Sequence, residues 1–260
     1  MKLISLNTWG GRLLGPLLQF VKEKSADTDI FCFQEVMKGG SDENDINDIC
    51  DSNLLETITK ILPGYNFHYQ PGARPYRNLH VIVKDKPEFG NATFIKKDTE
   101  VLGWEGFLTY PIEEKKEFPL DLEAAGILLN TEIKKNDKVF SIANIHGLWG
   151  GGPKDDNLAR LFQSRRALEY LRSKIGGKIL IGDFNLRPET ESVLMIEKEM
   201  RNLIKENKIQ TTRNHNYEKM AEFKDYIADY CFVSAGVKVK KFEVLPDIVS
   251  DHQPLYLEFS

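Results

Sequence analysis

The chain has 260 residues, 41% hydrophobic and 28% charged, with a net charge of −4; this is ordinary globular composition, long enough for a sizeable core. A mildly acidic total excludes a uniformly basic polyanion binder, although a local basic groove or a bound cation would still admit nucleic acid. No run approaches a membrane span, the apolar start "MKLISLN" is too short for a signal-peptide core, and Cys32, Cys50 and Cys231 are scattered without C-x-x-C spacing, so a cytoplasmic chain with buried reduced thiols and no membrane insertion is expected.

In chain order, strand-type runs are "KLISLN", "DIFCFQEV", "YNFHYQ", "LHVIVKD", "NATFIKK", "AAGILLNTEI", "KVFSIANIHGLW", "KILIGDFN", "DYIADYCFVS", "VKVKKFEVL" and "HQPLYLEF". Helical patterns fall over roughly 13–24, 46–61, 156–174 and 189–205. The third places Leu158, Leu161, Phe162, Leu168 and Leu171 near one face, with Asp156 or Asn157 as its cap. "SIANIH" and "ILIGDF" are apolar enough for central strands. No low-complexity or Pro/Ser linker divides the chain, so one domain over residues 1–260 is expected. Strands greatly outnumber helices, which argues against a doubly wound sheet and for an α/β (α+β) arrangement of two packed sheets with helices outside. "LISLNTWGG" and "FSIANIHGLWGG" echo each other, too briefly to define a repeat.

Polar residues stand at the ends of these strands: Asn7, Glu35, Asn144, His146, Asp183, Asn185, Asp229, Asp251 and His252. A carboxylate within a strand is costly unless paired or metal-bound. Each piece alone has an ordinary reading: Glu35 as a strand-end surface residue, His146 as a core histidine, Asp229 and "GDFN" as turn residues. Together they are explained by convergence on one site. Oxygen donors from Glu35, Asp251 and Asn7 suit a hard cation, Mg²⁺ or Mn²⁺. A carboxylate and a histidine then activate water while amide and imidazole groups hold phosphoryl oxygens, which is metal-assisted hydrolysis of a phosphate ester.

"SLNTWGG", "FCFQEV", "GNATF", "NIHGLW", "ILIGDFNLRP", "YIADYCFVS" and "VSDHQPL" occur in the order and spacing of the endonuclease/exonuclease/phosphatase superfamily, which the chain resembles over residues 2–259. The resemblance implies a four-layer α/β sandwich with the site at one edge of both sheets. It implies that Glu35 binds the metal with Asn7 beside it and Asp251 contributing. Asp183 orients or deprotonates the attacking water, and Asn185 helps hold water and phosphate. His252, oriented by Asp229, is the acid/base, and His146 lies near the leaving group or a non-bridging oxygen. Trp9 stands where abasic-site endonucleases of the superfamily carry an acidic residue, so the chain looks more like the sphingomyelinase and general phosphodiesterase branches.

Other motifs fail on spacing. "GSDENDINDICD" lacks an EF-hand's turn glycine, "WGGGPKDDN" lacks the Lys-Ser/Thr of a P-loop, and adjacent Ser250, Asp251 and His252 cannot form a hydrolase triad. The glycine-rich segment reads as a rim beside His146, followed by Arg160 as either a phosphate contact or a solvated helix residue. Asn144 is assigned to substrate with Arg160. "GARPYRN" (72–78) and "TTRNHNYEK" (211–219) either grip phosphate and stack a base through Arg74, Arg77, Arg213, Tyr76 and Tyr217 or are solvated loops. "LGWEGFLTYP" (102–111) carries aromatics that either meet a base or a lipid or, as the ordinary reading, pack against a sheet edge. The expected protein is a monomeric metal-dependent phosphodiesterase with DNA or RNA as substrate. A lipid or small-molecule phosphate is the second enzyme reading, and a non-catalytic binding module is the third.

Overall fold

A computed structural model describes residues 1–40, 50–72, 77–78, 81–82, 88–110, 126–149, 152–217 and 226–260. Its strands are β1 (Lys2–Asn7), β2 (Ile30–Lys38), β3 (Tyr65–Pro71), β4 (Arg77–Asn78), β5 (Val81–Ile82), β6 (Glu88–Lys96), β7 (Glu100–Leu108), β8 (Ile127–Lys135), β9 (Lys138–His146), β10 (Gly177–Asp183), β11 (Arg201–Asn202), β12 (Asp229–Val233), β13 (Val239–Val244) and β14 (Leu255–Phe259). The helices are α1 (Leu14–Ser25), α2 (Leu54–Ile61), α3 (Leu158–Arg172), α4 (Glu191–Glu197) and α5 (Leu203–Glu206). One sheet runs β13-β14-β1-β2-β6-β3 and the other β11-β12-β10-β9-β8-β7, with β4 and β5 pairing separately. Helices α1 and α2 cover the outer face of the first sheet, and α3 and α4 that of the second. The four-layer α/β sandwich of mixed sheets is therefore present as expected.

Among the described residues each sheet contains one parallel pair, β1/β2 and β9/β10, and every other pairing is antiparallel. A parallel pair needs a crossover, and α1 and α3 supply them. Outward from each pair the pattern is the same: β14-β13 and β6-β3 flank the first, β8-β7 and β12-β11 the second. The short echo noted in the sequence lies on β1 and β9, the opening strands of the two pairs.

Alternation along the strands builds the interior. Leu3, Ser5 and Asn7 of β1 face the opposite sheet, while Ile4 and Leu6 pack with Leu17, Phe20, Val21, Leu54 and Ile58 under the helices. Between the sheets the apolar layer gives way to amides. Gln34 Nε2 donates to Asn144 Oδ1 at 2.7 Å, and Asn144 Nδ2 donates to the carbonyls of Phe33 and Ala92, both at 3.1 Å. Asn91 Nδ2 donates to the Asn144 carbonyl at 3.1 Å. The NH₂ groups of all three amides and the Asn144 oxygen are bonded, and these bonds tie β2, β6 and β9 into one relative position. The thiols of Cys32 and Cys231 lie buried between the sheets; burial pushes the Cys32 thiol up to about 12.

Several sequence expectations are revised. The helix expected over 189–205 is broken into α4, β11 and α5, because Asn202 breaks away from the helix to pair in β11 and caps α5 through Ile204 N and Lys205 N. The helix expected from residue 46 begins at Leu54, and residues 41–49 lie outside the described residues, as do most of "LHVIVKD" and of "GARPYRN". On α3 the apolar face fails at its N-terminal half: Leu158 is 86% exposed and Phe162 39%, while Arg160, Gln163 and Ser164 are buried. Local carbonyl and amide groups draw Arg160 and Gln163 inward, Arg160 donating to the Pro153 and Asp155 carbonyls and Gln163 Oε1 accepting from Leu148 N at 2.8 Å. "LGWEGFLTYP" is more than an aromatic segment against an edge; it supplies the edge strand β7, whose Trp104 stacks on His68 of β3 with 5.0 Å between ring centroids. Among the described residues no helix is long and apolar enough to cross a membrane.

Candidate active site

The carboxyl ends of both parallel pairs open at the same end of the sandwich, the position at which α/β sheets build ligand sites. Asn7 ends β1, His146 ends β9 and Asp183 ends β10, and Asp229 begins the antiparallel β12 directly opposite Asp183. Period-two alternation makes these residues the last rung of the rows that supply the inter-sheet core. Polar chemistry therefore begins where the apolar interior stops.

Local folding aims each group. In "GDFN", Gly182 (φ 140°) approaches β9 so closely that an added Cβ would lie 2.1 Å from the Ile145 carbonyl oxygen. Phe184 is buried against Tyr230 and Phe232, each 5.3 Å away by ring centroids, which roots the turn. Asn185 then takes a left-handed conformation (φ 53°), and its N–H donates to Asp183 Oδ1 at 2.8 Å, an Asx turn that fixes the carboxylate. On β2 a bulge between Phe33 and Val36 puts Glu35 at φ 57° and turns it out of the ladder toward the site.

Asn7 Nδ2 donates to Glu35 Oε1 and to Asp183 Oδ2, both at 3.0 Å, and joins the two sheets. Its own Oδ1 accepts from Trp9 N at 3.0 Å. Asn7 thus presents N–H groups to two carboxylates and orients them. His146 Nε2 lies 3.6 Å from Glu35 Oε1 and 3.9 Å from Asp183 Oδ2, and His252 Nε2 lies 3.5 Å from the same Asp183 oxygen. Both histidines are buried.

His252 is held from behind. Its Nδ1 lies 2.8 Å from Asp229 Oδ2, which also accepts from Thr212 Oγ1 at 2.7 Å. Arg213 Nη1 pairs with Asp251 Oδ2 at 3.1 Å, and Ser250 Oγ donates to Asp251 Oδ1 at 3.2 Å. Burial lowers the His252 pKa and so does Arg213, but Asp229, Asp251 and Asp183 together outweigh them and raise it above 6.5. In the metal-free protein an NMR titration is expected to place the His252 imidazole above 6.5, and Asp229→Asn to move it down. Because the folded value is the higher one, this interaction stabilises fully below the unfolded pKa and is lost as pH rises through the folded pKa. For Asp183, burial opposes ionisation, but His252, Lys154, His146 and Arg213 outweigh it and hold the carboxyl well below the usual carboxylate range.

The site therefore brings together Asn7, Glu35, His146, Asp183, Asn185, Asp229, Asp251 and His252 as the sequence suggested. It does not bring in Asn144, which is spent on the inter-sheet amide layer, or Arg160, whose Nη1 donates to the carbonyls of Pro153 and Asp155. Three participants were missed or undervalued. Lys154 is wholly buried, with Nζ 2.5 Å from Asn185 Oδ1. Thr212 backs Asp229. Arg213, from a loop that could have been solvated, is buried with its guanidinium 3.7 Å from the centroid of Tyr217. The neighbouring His215 is exposed. The only sequence signal for Lys154 was a lysine among glycines and acids just after His146.

The residues fit a divalent cation. Among the described residues Glu35, Asp183, Asp229 and Asp251 face two fixed cations, Lys154 and Arg213, which leaves two uncompensated negative charges when both histidines are neutral and one when His252 carries its proton. One ligand atom each from Asp183, Asp229 and His252 fall within 4.8 Å of one another. Yet Asp229 and His252 Nδ1 already satisfy each other, and both Asp251 oxygens accept protein hydrogen bonds. Glu35, whose side chain is 20% exposed against 1–7% for the other three carboxylates, is the better-placed ligand, with Asp183 adjacent.

Among solved structures the chain is similar to a Bacteroides thetaiotaomicron mannosyl-6-phosphatase (22% identity, TM-score 0.70, covering 100% of this chain and 99% of that one). It is also similar to the human Nocturnin catalytic domain with bound sulfate (19%, 0.68, 100% and 93%) and to a humanized D. rerio TDP2 (14%, 0.64, 100% and 98%). No curated protein sequence matches it. Residues 4–252 match the Endonuclease/Exonuclease/phosphatase family. The chain belongs to that family of phosphoester hydrolases.

Proposed function

We propose that the protein hydrolyses phosphoesters with a divalent metal, Mg²⁺ or Mn²⁺, and that DNA or RNA is its substrate. The observation that carries this reading is the Asn7 amide joining Glu35 of one sheet to Asp183 of the other, with two buried imidazoles within 4 Å of the same Asp183 oxygen. When bound, the cation supplies Lewis-acid polarisation of a phosphoryl oxygen, and Glu35 with Asp183 would hold it. Asp183, kept ionised by the surrounding cations, orients the attacking water and accepts its proton. His252, backed by Asp229, is poised as imidazolium to donate to a phosphoryl or leaving oxygen, with His146 on the opposite flank. The Tyr217 ring beside Arg213 supplies an aromatic face and a cation suited to a nucleotide.

A second reading takes a small-molecule phosphate as substrate. It is favoured by the burial of both site cations, Lys154 and Arg213, which focuses positive charge on one phosphate without laying a track for several; the similar mannosyl-6-phosphatase fits such a substrate. The deciding experiment is a panel of DNA, RNA, lipid and sugar phosphoesters with each metal. Turnover should vanish in EDTA and return with Mg²⁺ or Mn²⁺; turnover that survives chelation would contradict metal dependence. A steep log–log salt slope for polynucleotide affinity supports the first reading, and a flat one the second.

A further inference from the structure

Lys154 is wholly buried, and the segment that carries it explains how. Pro153, Asp155 and Asp156 on either side are exposed, whereas Lys154 turns inward with none of its surface accessible. Lysine is among the residues least often buried, because its ammonium loses hydration. Here three consecutive carbonyls are gripped. Arg160 Nη1 donates to the Pro153 and Asp155 oxygens, and Arg187 N donates to the Lys154 oxygen at 3.0 Å. Arg187 Nη1 also pairs with Asp155 Oδ1 at 2.8 Å, and Asp156 accepts from the first N–H groups of α4. Two arginines and a helix start thus fix the four-residue stretch 153–156, from which a single side chain enters the interior.

That side chain ends on Asn185. Its Nζ donates to Asn185 Oδ1 at 2.5 Å, while Asn185 Nδ2 donates to the Gly147 carbonyl at 3.2 Å and Asn185 N to Asp183 Oδ1 at 2.8 Å. An asparagine amide has two ends that are nearly alike in shape, and a left-handed backbone alone does not choose between them. The Gly147 carbonyl, which can only accept, and the Lys154 ammonium, which can only donate, choose together. We propose that Lys154 is a positioning residue of the reaction centre, its ammonium fixing the Asn185 amide in one orientation beside Asp183. Arg160 and Arg187 serve this arrangement as anchors of the loop, which accounts for an arginine buried near the site without reaching into it. Lys154 matters to turnover only under the phosphoesterase reading above, so its test has one arm with catalysis and one without.

Lys154→Met should lower kcat about 100-fold, the scale of a displaced reacting group, with KM changed by less than about threefold. Lys154→Arg should recover part of the loss. On an Asn185→Ala background Lys154→Met should cost nothing further, because the group it acts through is gone. A lysine that served only the packing of the loop would give multiplicative losses instead, and that result overturns the proposal. The second arm follows the Asn185 side-chain ¹H–¹⁵N resonances, assigned by their absence in Asn185→Asp. They should shift in Lys154→Met and hold in Lys154→Arg; resonances that stay in place in Lys154→Met also overturn it. If the wild type cleaves no ester while those resonances move as expected, the phosphoesterase reading fails and the Lys154–Asn185 tether stands.

Discussion

Asp183→Asn should lower phosphoester turnover by about 10³- to 10⁴-fold, the upper range for loss of a positioned proton acceptor, and leave a folded protein. The substitution is isosteric, but every oxygen position is already claimed. Oδ1 accepts from Asn185 N and Oδ2 from Asn7 Nδ2, with His252 Nε2 3.5 Å away. An amide must place its NH₂ against one of these donors, so orientation is lost with the charge. The unsatisfied contact costs about 1–3 kcal/mol, against a typical domain stability of about 5–15 kcal/mol, so thermal unfolding should remain cooperative. Turnover and circular-dichroism melting of the same preparation separate the two effects. A variant that keeps a tenth of wild-type activity would remove Asp183 from the role of proton acceptor.

Glu35→Gln should have the next largest effect, about 10²- to 10³-fold at fixed low Mg²⁺, because Lewis-acid stabilisation amounts to several kcal/mol. Its signature differs from that of Asp183. Glu35 is the most exposed of the four carboxylates and sits on the bulge that aims it at the mouth of the site. Loss of its charge should raise the Mg²⁺ concentration for half-maximal activity by at least about tenfold, within the range for perturbed metal sites. Saturating metal should then restore part of the rate. Saturating metal should not bring Asp183→Asn back, because the proton acceptor is lost whether or not the metal is bound. An activation curve for each variant decides the matter, and an unshifted midpoint in Glu35→Gln would move the metal away from Glu35.

Much of this was readable in the residues because strands declare themselves by alternation and the site grows from strand ends. His146, Asp183 and Asp229 stand on one rung of their sheet and Asn7 ends β1 of the other, each closing a largely apolar strand, so a sequence pattern alone marked them. What escaped depends on contacts between distant segments. Asn144 has the same strand-end look as His146, two residues later in β9, yet it lies one rung deeper, where the opposite sheet supplies Gln34 and two carbonyls. Lys154, given no role from the sequence, reaches the site and Arg160 does not, since only the folded loop shows which turns inward. The face assigned to α3 failed for a related reason: hydrophobic spacing ranks Leu158 and Phe162 as core, but buried carbonyl and amide groups nearby bring in Arg160 and Gln163 instead.

The amide layer of Gln34, Asn91 and Asn144 has an effect beyond packing. Apolar faces can slide over one another at little cost, but these three behave as dowels between boards: a shift of one residue would strand several of them without partners. Because Glu35 and Asp183 are mounted on opposite boards just beyond the dowels, slippage too small to disturb either sheet would already pull the pair apart. Catalytic competence in this molecule is thus a gauge of alignment, and it should fail before any loss of secondary structure is visible.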